Sequence, residues 1–466
     1  MPVLSKDDYS ITVVEGAKLE NDTVHDLTQG DIEIPSEVNH SMFLTNEILS
    51  KHCLMLGSIG SGKSNLMFHV VEKIRSHMTN DDCIVFFDSK GDYLEKFCTS
   101  NDIIIGNSDW VQTHFSDLIQ SKRIQFWNIF SDLSTNASLL EMIREVSTSL
   151  FKKSIDNAQN PIFPRGARDM FAAVIYALIK KSTLKIGKGR YINIDGKEVL
   201  LDNSSVKMFF EGFSIENFSK LIDGIEEVEW VKTYISSGAK TNTTQSYLTY
   251  LNAIPHEVFT NDFGESGSFS IKDFVNGGKR KGLFLEYDIV NSNTIDVIYT
   301  VLLDIAMKEA LGKKRNGNIY FILDEFPLIP QLTYFDNLLN FGRQLGVKVI
   351  AGIQNVGQVY AKYDLYLGNS ILSGFSTYFA FNLFDQSSRD IVKLRHGKNR
   401  SICAVKRYGV EGYDIAVQES DVIPDWRLTS LENGQCIVSV PGFNPFQFKS
   451  TKFGDNATGK IKIKRK

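Results

Sequence analysis

A chain of 466 residues with 42% hydrophobic and 23% charged side chains and only 10 prolines has the balance of a packed globular protein and excludes disorder or low complexity. One core domain with a large insertion uses that length. A formal net charge of −4 excludes a global positive field, so any nucleic-acid contact has to come from a local patch or a pore. Five cysteines (Cys53, Cys83, Cys98, Cys403, Cys436) without a CxxC pair read as reduced core thiols rather than disulfides or a zinc site.

Residues 1–50 are mixed and polar, an expected lead-in segment, and Met1-Pro-Val-Leu-Ser-Lys-Asp-Asp lacks the charged-then-apolar pattern of a signal peptide. The longest apolar stretches, such as Phe171 to Ile179, are about half of what a membrane span needs, so no integral membrane segment and a cytoplasmic location are expected. Cys53-Leu54-Met55-Leu56 forms a short apolar run that meets a Gly-rich turn, followed by helical spacing from Asn65 to Arg75, which is strand, loop, helix. Ile84 to Phe87, Ile103 to Ile105 and Ile124 to Trp127 are further strand signatures.

From about Ala137 helices are expected, first Leu139 to Phe151 and then Ala167 to Lys180, followed by a polar stretch, Gly187 to Asp202. Helical signals continue through 205–258, so residues 183–275 are assigned to an inserted all-α domain. Leu283 to Tyr287, Ile319 to Leu323, Val347 to Gly352 and Thr377 to Phe381 restore the strands, with an amphipathic helix over Thr294 to Leu311. Apolar strands separated by helix-length spacers imply an α/β fold with a mainly parallel sheet covered on both faces. The core is assigned to 51–182 and 276–450, with a basic C-terminal tail at 451–466.

Gly57-Ser58-Ile59-Gly60-Ser61-Gly62-Lys63-Ser64 satisfies GxxxxGK[ST] between a strand and a helix, the P-loop arrangement for ATP and Mg²⁺. Backbone N–H groups close round the phosphates, Lys63 reaches the β- and γ-phosphates, and the Ser64 hydroxyl ligates Mg²⁺. Ile319 to Leu323 leads into Asp324-Glu325: Asp324 takes the metal-holding role and Glu325 that of general base, unless both acids only cap the next turn. Gln354, at the end of the apolar strand Val349 to Ile353, reads as a γ-phosphate sensor or as a buried, satisfied side chain. Asp88-Ser89-Lys90-Gly91-Asp92 ends a strand too, as a set of charges at the same sheet edge or as a polar turn. Lys393, Arg395, His396, Lys398, Arg400, Lys406 and Arg407, followed by Tyr408, form a basic stretch that suits a phosphate backbone or a solvated face. The tail Lys460 to Lys466 carries five bases in seven residues, suiting an acidic partner, nucleic acid or anionic lipid, or solubility alone.

The order of these motifs resembles the type IV coupling proteins of conjugation and secretion (TraG/TraD family), in the FtsK/HerA-like branch of RecA-fold motor ATPases. The resemblance is carried by Leu56-Gly57 to Ser64, Phe87 to Asp92, Ala167-Arg168-Asp169, and the run from Asp324-Glu325-Phe326-Pro327 through Asn340-Phe341-Gly342-Arg343-Gln344-Leu345-Gly346-Val347 to Gly352-Ile353-Gln354-Asn355. It implies a RecA-like core, a ring that is usually hexameric, ATP between subunits, DNA in a central pore, and relaxase or secretion-system components as partners. It places Arg343 where the family's arginine reaches the neighbouring subunit's γ-phosphate; from the residues alone Arg343 is equally a helix-surface arginine. Two departures stand out: membrane helices common at the family's N-terminus are absent from this sequence, and the family's arginine ahead of the P-loop falls near Lys51-His52. Two rival readings are a motor that moves protein rather than DNA, and a soluble HerA-like motor in DNA processing or defence.

Overall fold

The structure, a computed structural model, describes residues 9–38, 40–115, 123–133, 138–185, 189–194, 197–235, 241–290, 292–406 and 412–454. The described residues form two compact units, one within residues 9–79, Tyr320–Leu328 and 336–454, the other within Asn80–Ile319 and Ile329–Phe335.

In the first unit the strands lie in the order Phe446–Lys449, Gln435–Ser439, Thr377–Ala380, Cys53–Leu56, Val347–Ile353 and Ile319–Leu323. Cys53–Leu56 is flanked by two parallel neighbours, Val347–Ile353 and Thr377–Ala380, and all three strands are buried at every position. That is the continuous apolar run of a parallel strand covered on both faces. Gln435–Ser439 and Phe446–Lys449 extend the sheet as an antiparallel hairpin. The expected lead-in segment is built into this unit. Tyr9–Glu15 pairs with Lys398–Lys406, which pairs with Tyr413–Asp421 in a separate three-stranded antiparallel sheet, and Ile32–Ile34 pairs with Met42–Leu44.

The second unit holds the parallel strands Cys83–Asp88, Lys281–Glu286 and Ile103–Ile105, with Lys281–Glu286 in the middle. Ile124 to Trp127, expected as a strand, makes only isolated bridges, Ile104 with Ile124 and Trp127 with Phe269. The Asn128 side chain accepts from the Phe130 N–H at 2.9 Å and starts the short helix Ile129–Asp132, so the extended run stops before a ladder can form.

The helix Ile162–Lys181 is buried at every position from Met170 to Ile179, so it needs cover on all sides. Leu139–Asn157 brings Phe151 to 5.8 Å from Phe171, and Asn203–Glu211 stacks Phe210 on Phe171 at 5.4 Å. Gly166 is the close approach to Thr241–Ala253, since a Cβ there would stand 2.5 Å from the Tyr247 ring. The helix pair assigned to the core domain is therefore the centre of the helical body, and residue 183 is not a structural boundary. Nor is the segment after it wholly helical: Thr183–Lys185, Gly189–Ile194 and Lys197–Leu200 form a three-stranded antiparallel sheet. Half of its described positions are exposed, Thr183, Leu184, Lys197 and Glu198 among them, while Ile192 is buried, which is why the stretch reads as merely polar. Among the described residues no helix is long and apolar enough to cross a membrane.

Candidate functional site: a P-loop with its acidic pair

Every residue of this site lies in the first unit. Strand Cys53–Leu56 delivers the loop and helix Lys63–His77 receives it. Gly57 N–H donates to Ile353 O at 3.2 Å and Ser58 N–H to Asn382 O at 3.0 Å, which anchors the loop's entry to both neighbouring strands. Gly60 and Gly62 have φ of 72° and 107°, the left-handed region that glycine enters without strain. A Cβ on Gly62 would also stand 2.7 Å from Gly434 Cα; Gly434 N–H donates to Ser61 O at 2.9 Å. The turn before Gln435–Ser439 thus presses on the P-loop, a contact across 370 residues of sequence that no local motif announces.

The helix has no side-chain cap at Gly62, so its first-turn N–H groups and dipole are left for an anion. Ser61 Oγ is buried with no hydrogen-bond partner among the described residues, a donor in want of an acceptor. Lys63 is 7% exposed and donates to Gly57 O and Ser58 O at 2.5 and 3.0 Å. Ile59 is 82% exposed and offers the loop only its backbone. The Ser64 hydroxyl donates to both oxygens of Asp324, at 3.2 and 3.1 Å.

Glu325 is 9% exposed, and Gln354 Nε2 donates to its Oε2 at 3.0 Å. The approach depends on Gly352, where a Cβ would stand 2.0 Å from Asp324 O. Lys63, Ser64, Asp324, Glu325 and Gln354 are thus brought together. Arg343 is not part of that cluster. It sits in the 3₁₀ turn Gly342–Leu345, its side chain half exposed and 3.7 Å from Glu47; Lys51 reaches the same carboxylate at 2.9 Å.

His52 has a structural role the sequence does not signal. Its ring is buried between Leu339 O, 3.1 Å from Nε2, and the Val349 N–H, which donates to Nδ1 at 3.1 Å. Burial pushes its pKa down to about 4, so it stays neutral.

The donor set suits a magnesium nucleotide. Uncapped helix N–H groups, an orphaned hydroxyl and a lysine fit the phosphates; a hydroxyl on a carboxylate fits a hard divalent cation.

A family model described as the type IV secretion-system coupling protein DNA-binding domain matches residues 41–403. The chain belongs to that family. Coupling protein TraD of Escherichia coli (strain K12) is 21% identical over 428 residues, covering 85% of this chain and 52% of TraD, so the chain spans about half the length of that curated relative. Two solved structures cover nearly the whole chain. The bacterial conjugative coupling protein TrwBΔN70 in its unbound monoclinic form has a TM-score of 0.70 and 14% identity over 95% of both chains. TrwB in complex with ADP and Mg²⁺ has a TM-score of 0.69 and 14% identity over 97% of both. At that identity the likeness establishes the fold: a RecA-like P-loop core with a helical domain.

The coupling-protein chain does not keep its basic stretch free. Lys393 lies 3.4, 3.7 and 3.1 Å from Asp390, Asp421 and Asp425. The Arg395 guanidinium covers the Tyr378 ring at 3.9 Å, His396 Nε2 meets Ser439 Oγ at 2.6 Å, Lys398 pairs with Glu419 and Arg400 with Glu15. Arg407, Tyr408 and the tail Lys460 to Lys466 lie outside the described residues. Asp88, in the second unit, is spent on its own turn. Its carboxylate accepts the N–H groups of Lys90, Gly91, Tyr93 and Leu94 at 2.8–3.1 Å, and burial pushes its pKa up to about 6.

Proposed function

We propose that this coupling-family chain is an ATP-hydrolysing DNA translocase. The observation that carries the reading is the convergence of a P-loop, a serine on Asp324, and a buried Glu325 held by Gln354. Gly57, Ser58, Ile59, Gly60, Ser61 and Gly62 cradle the phosphates through backbone N–H groups, and Lys63 turns from its carbonyl partners to the β- and γ-oxygens. Ser64 and Asp324 would hold Mg²⁺, which supplies charge neutralisation on the phosphate oxygens when bound. Glu325 takes the proton of the attacking water, and Gln354 fixes the carboxylate's orientation and reports whether a γ-phosphate is present.

Arg343, half exposed and loosely paired, serves the site of a neighbouring subunit in a ring, most simply a hexamer, with DNA in the central pore. Pairing of Lys393, Lys398 and Arg400 with Glu15, Asp390, Glu419, Asp421 and Asp425 sends the search for DNA contacts to other surfaces. Relaxase or secretion-system components are the partners this reading implies, at the inner face of the membrane. The test is ATP turnover of the purified protein with and without single- and double-stranded DNA. We expect Lys63→Ala to abolish turnover, DNA to stimulate it, and Arg343→Ala to poison wild-type protein when the two are mixed. Turnover indifferent to both DNAs, and raised instead by a protein substrate, would replace DNA with protein as cargo.

A further inference from the structure

The second unit carries a cavity of about 850 Å³ at the carboxyl ends of Cys83–Asp88 and Lys281–Glu286, where parallel sheets bind ligands. Lys90, Trp110, Asp262, Glu286, Tyr287 and Asp288 are among the residues that line it. Glu286 is the unexplained member. It is 1% exposed, yet among the described residues its Oε1 has no hydrogen-bond partner. Its neighbour in register is Asp88, whose carboxylate is filled by four backbone N–H groups. The Tyr299 hydroxyl, which could have served it, donates to the Glu286 main-chain carbonyl instead. Burial, with Asp88 and Asp92 nearby, holds this carboxyl well above the usual carboxyl range, and a cationic donor from outside the chain would offset that cost of ionisation.

The surroundings decide which donor. Asp262 is occupied by Ser108, at 2.7 Å from its N–H and 2.5 Å from its Oγ, and Asp288 accepts the Val290 N–H at 2.9 Å. Both put a carboxyl group on the wall, and with Glu286 they outnumber the one lysine there among the described residues, Lys90, which makes the lining unsuited to an anion. A metal ion needs several converging ligands, and among the described residues no three acid, histidine or cysteine side chains form such a group. An organic cation with several N–H donors is left. Planar aromatic walls, Trp110 and Tyr287, suit a guanidinium better than a compact ammonium. The volume is that of a ligand site, so the group arrives with its flanking chain.

We propose that this cavity receives an arginine side chain from a protein segment, with Glu286 as its buried counter-charge. The probe is acetyl-Gly-Arg-Gly-amide titrated calorimetrically into the full chain, with the citrulline peptide as the neutral isostere. We expect saturable binding of the arginine peptide, at least about tenfold weaker binding of the citrulline peptide, and a loss of about tenfold or more in Glu286→Gln. Asp288→Asn, which preserves the Val290 cap, loses about threefold and serves if Glu286→Gln fails to fold. Without peptide, Glu286→Gln melts no lower than wild type, because among the described residues Oε1 has no hydrogen bond to lose; a purely structural Glu286 would lower the melting temperature. Equal binding of the two peptides, no saturation by about 10 mM, or undiminished binding by both variants overturns the proposal. Sedimentation velocity then assigns the source: weaker self-association in Glu286→Gln places the arginine on a second copy of this chain, and unchanged self-association places it on another polypeptide.

Discussion

Gln354→Ala isolates the part of the site that is hardest to see in a motif. The amide donates at 3.0 Å to a carboxylate that is 9% exposed, and a hydrogen bond to a charged group under such burial contributes about 1.5–3 kcal/mol. If that bond orients Glu325 toward the attacking water, its loss falls on the transition state and not on nucleotide binding, because among the described residues the Gln354 side chain bonds Glu325 and not the P-loop. With about 1.4 kcal/mol per factor of ten, kcat should fall about 10- to 150-fold while the affinity for a non-hydrolysable ATP analogue stays within about twofold. The assay is steady-state turnover with saturating Mg²⁺ and DNA, combined with the cycle Gln354→Ala, Glu325→Gln and the double variant. Two residues acting as one unit give a double variant no slower than Glu325→Gln alone. A kcat near wild type, or a double variant that multiplies the two single losses, would refute the coupling of Gln354 to Glu325.

Other expectations follow from the same coordinates. Gly62→Ala combines strain at φ 107° with a Cβ 2.7 Å from Gly434 Cα, and should cost about 1–3 kcal/mol of loop stability and at least tenfold in ATP affinity, read by isothermal titration. The pH dependence should have opposite signs in the two units. Burial takes His52 of the first unit down to about 4, so between about 4 and 6.5 the unfolded state binds the extra proton and stability rises with pH, by at most about 3 kcal/mol. Burial takes Asp88 and Asp132 of the second unit up to about 6, so between about 4 and 6 the native state binds the extra protons and stability falls as pH rises, by at most about 3 kcal/mol each. Hydrogen exchange at pH 4.5 against pH 7, corrected for intrinsic rates, should show Val347–Ile353 losing protection relative to Cys83–Asp88; loss of equal size in both strands would count against these assignments. His52→Ala leaves Leu339 O and the Val349 N–H buried without their partner, and should lower stability by about 2–5 kcal/mol in denaturant titration.

The parts of the fold legible in the sequence are those whose information is local. Cys53–Leu56, Val347–Ile353 and Thr377–Ala380 are buried on both faces, so all positions but Lys348 and Thr377 are apolar or glycine and the runs announce themselves. The sheet Thr183–Leu200 hides because half its positions meet water. Ile124 to Trp127 misleads for the opposite reason: its residues suit a strand, but the Asn128 cap ends the extension. The helix Ile162–Lys181 is readable as a helix from its own spacing, whereas its place at the centre of the helical body depends on Phe151, Phe210 and Tyr247, which lie in three other segments.

The same division runs through the site. The P-loop is legible because the strand, glycines, lysine and serine that meet a phosphate must be consecutive, and Asp324-Glu325 because the acids must end a strand. Gly352 was visible as a residue but not as the reason Gln354 reaches Glu325, since that reason is a backbone on the next strand. The basic stretch at 393–400 is the sharpest case. Taken along the chain it is a run of uncompensated cations. In the folded unit its acids come from Glu15, Glu419, Asp421 and Asp425, and its arginine from solvent onto the Tyr378 ring. Charge that sequence assigns to a partner can be spent on the fold, and only the paired structure distinguishes the two. By that standard Glu286 argues the reverse: a single glutamate in an apolar strand carries no sequence signal, yet after folding it is a buried carboxyl whose Oε1 finds no donor among the described residues.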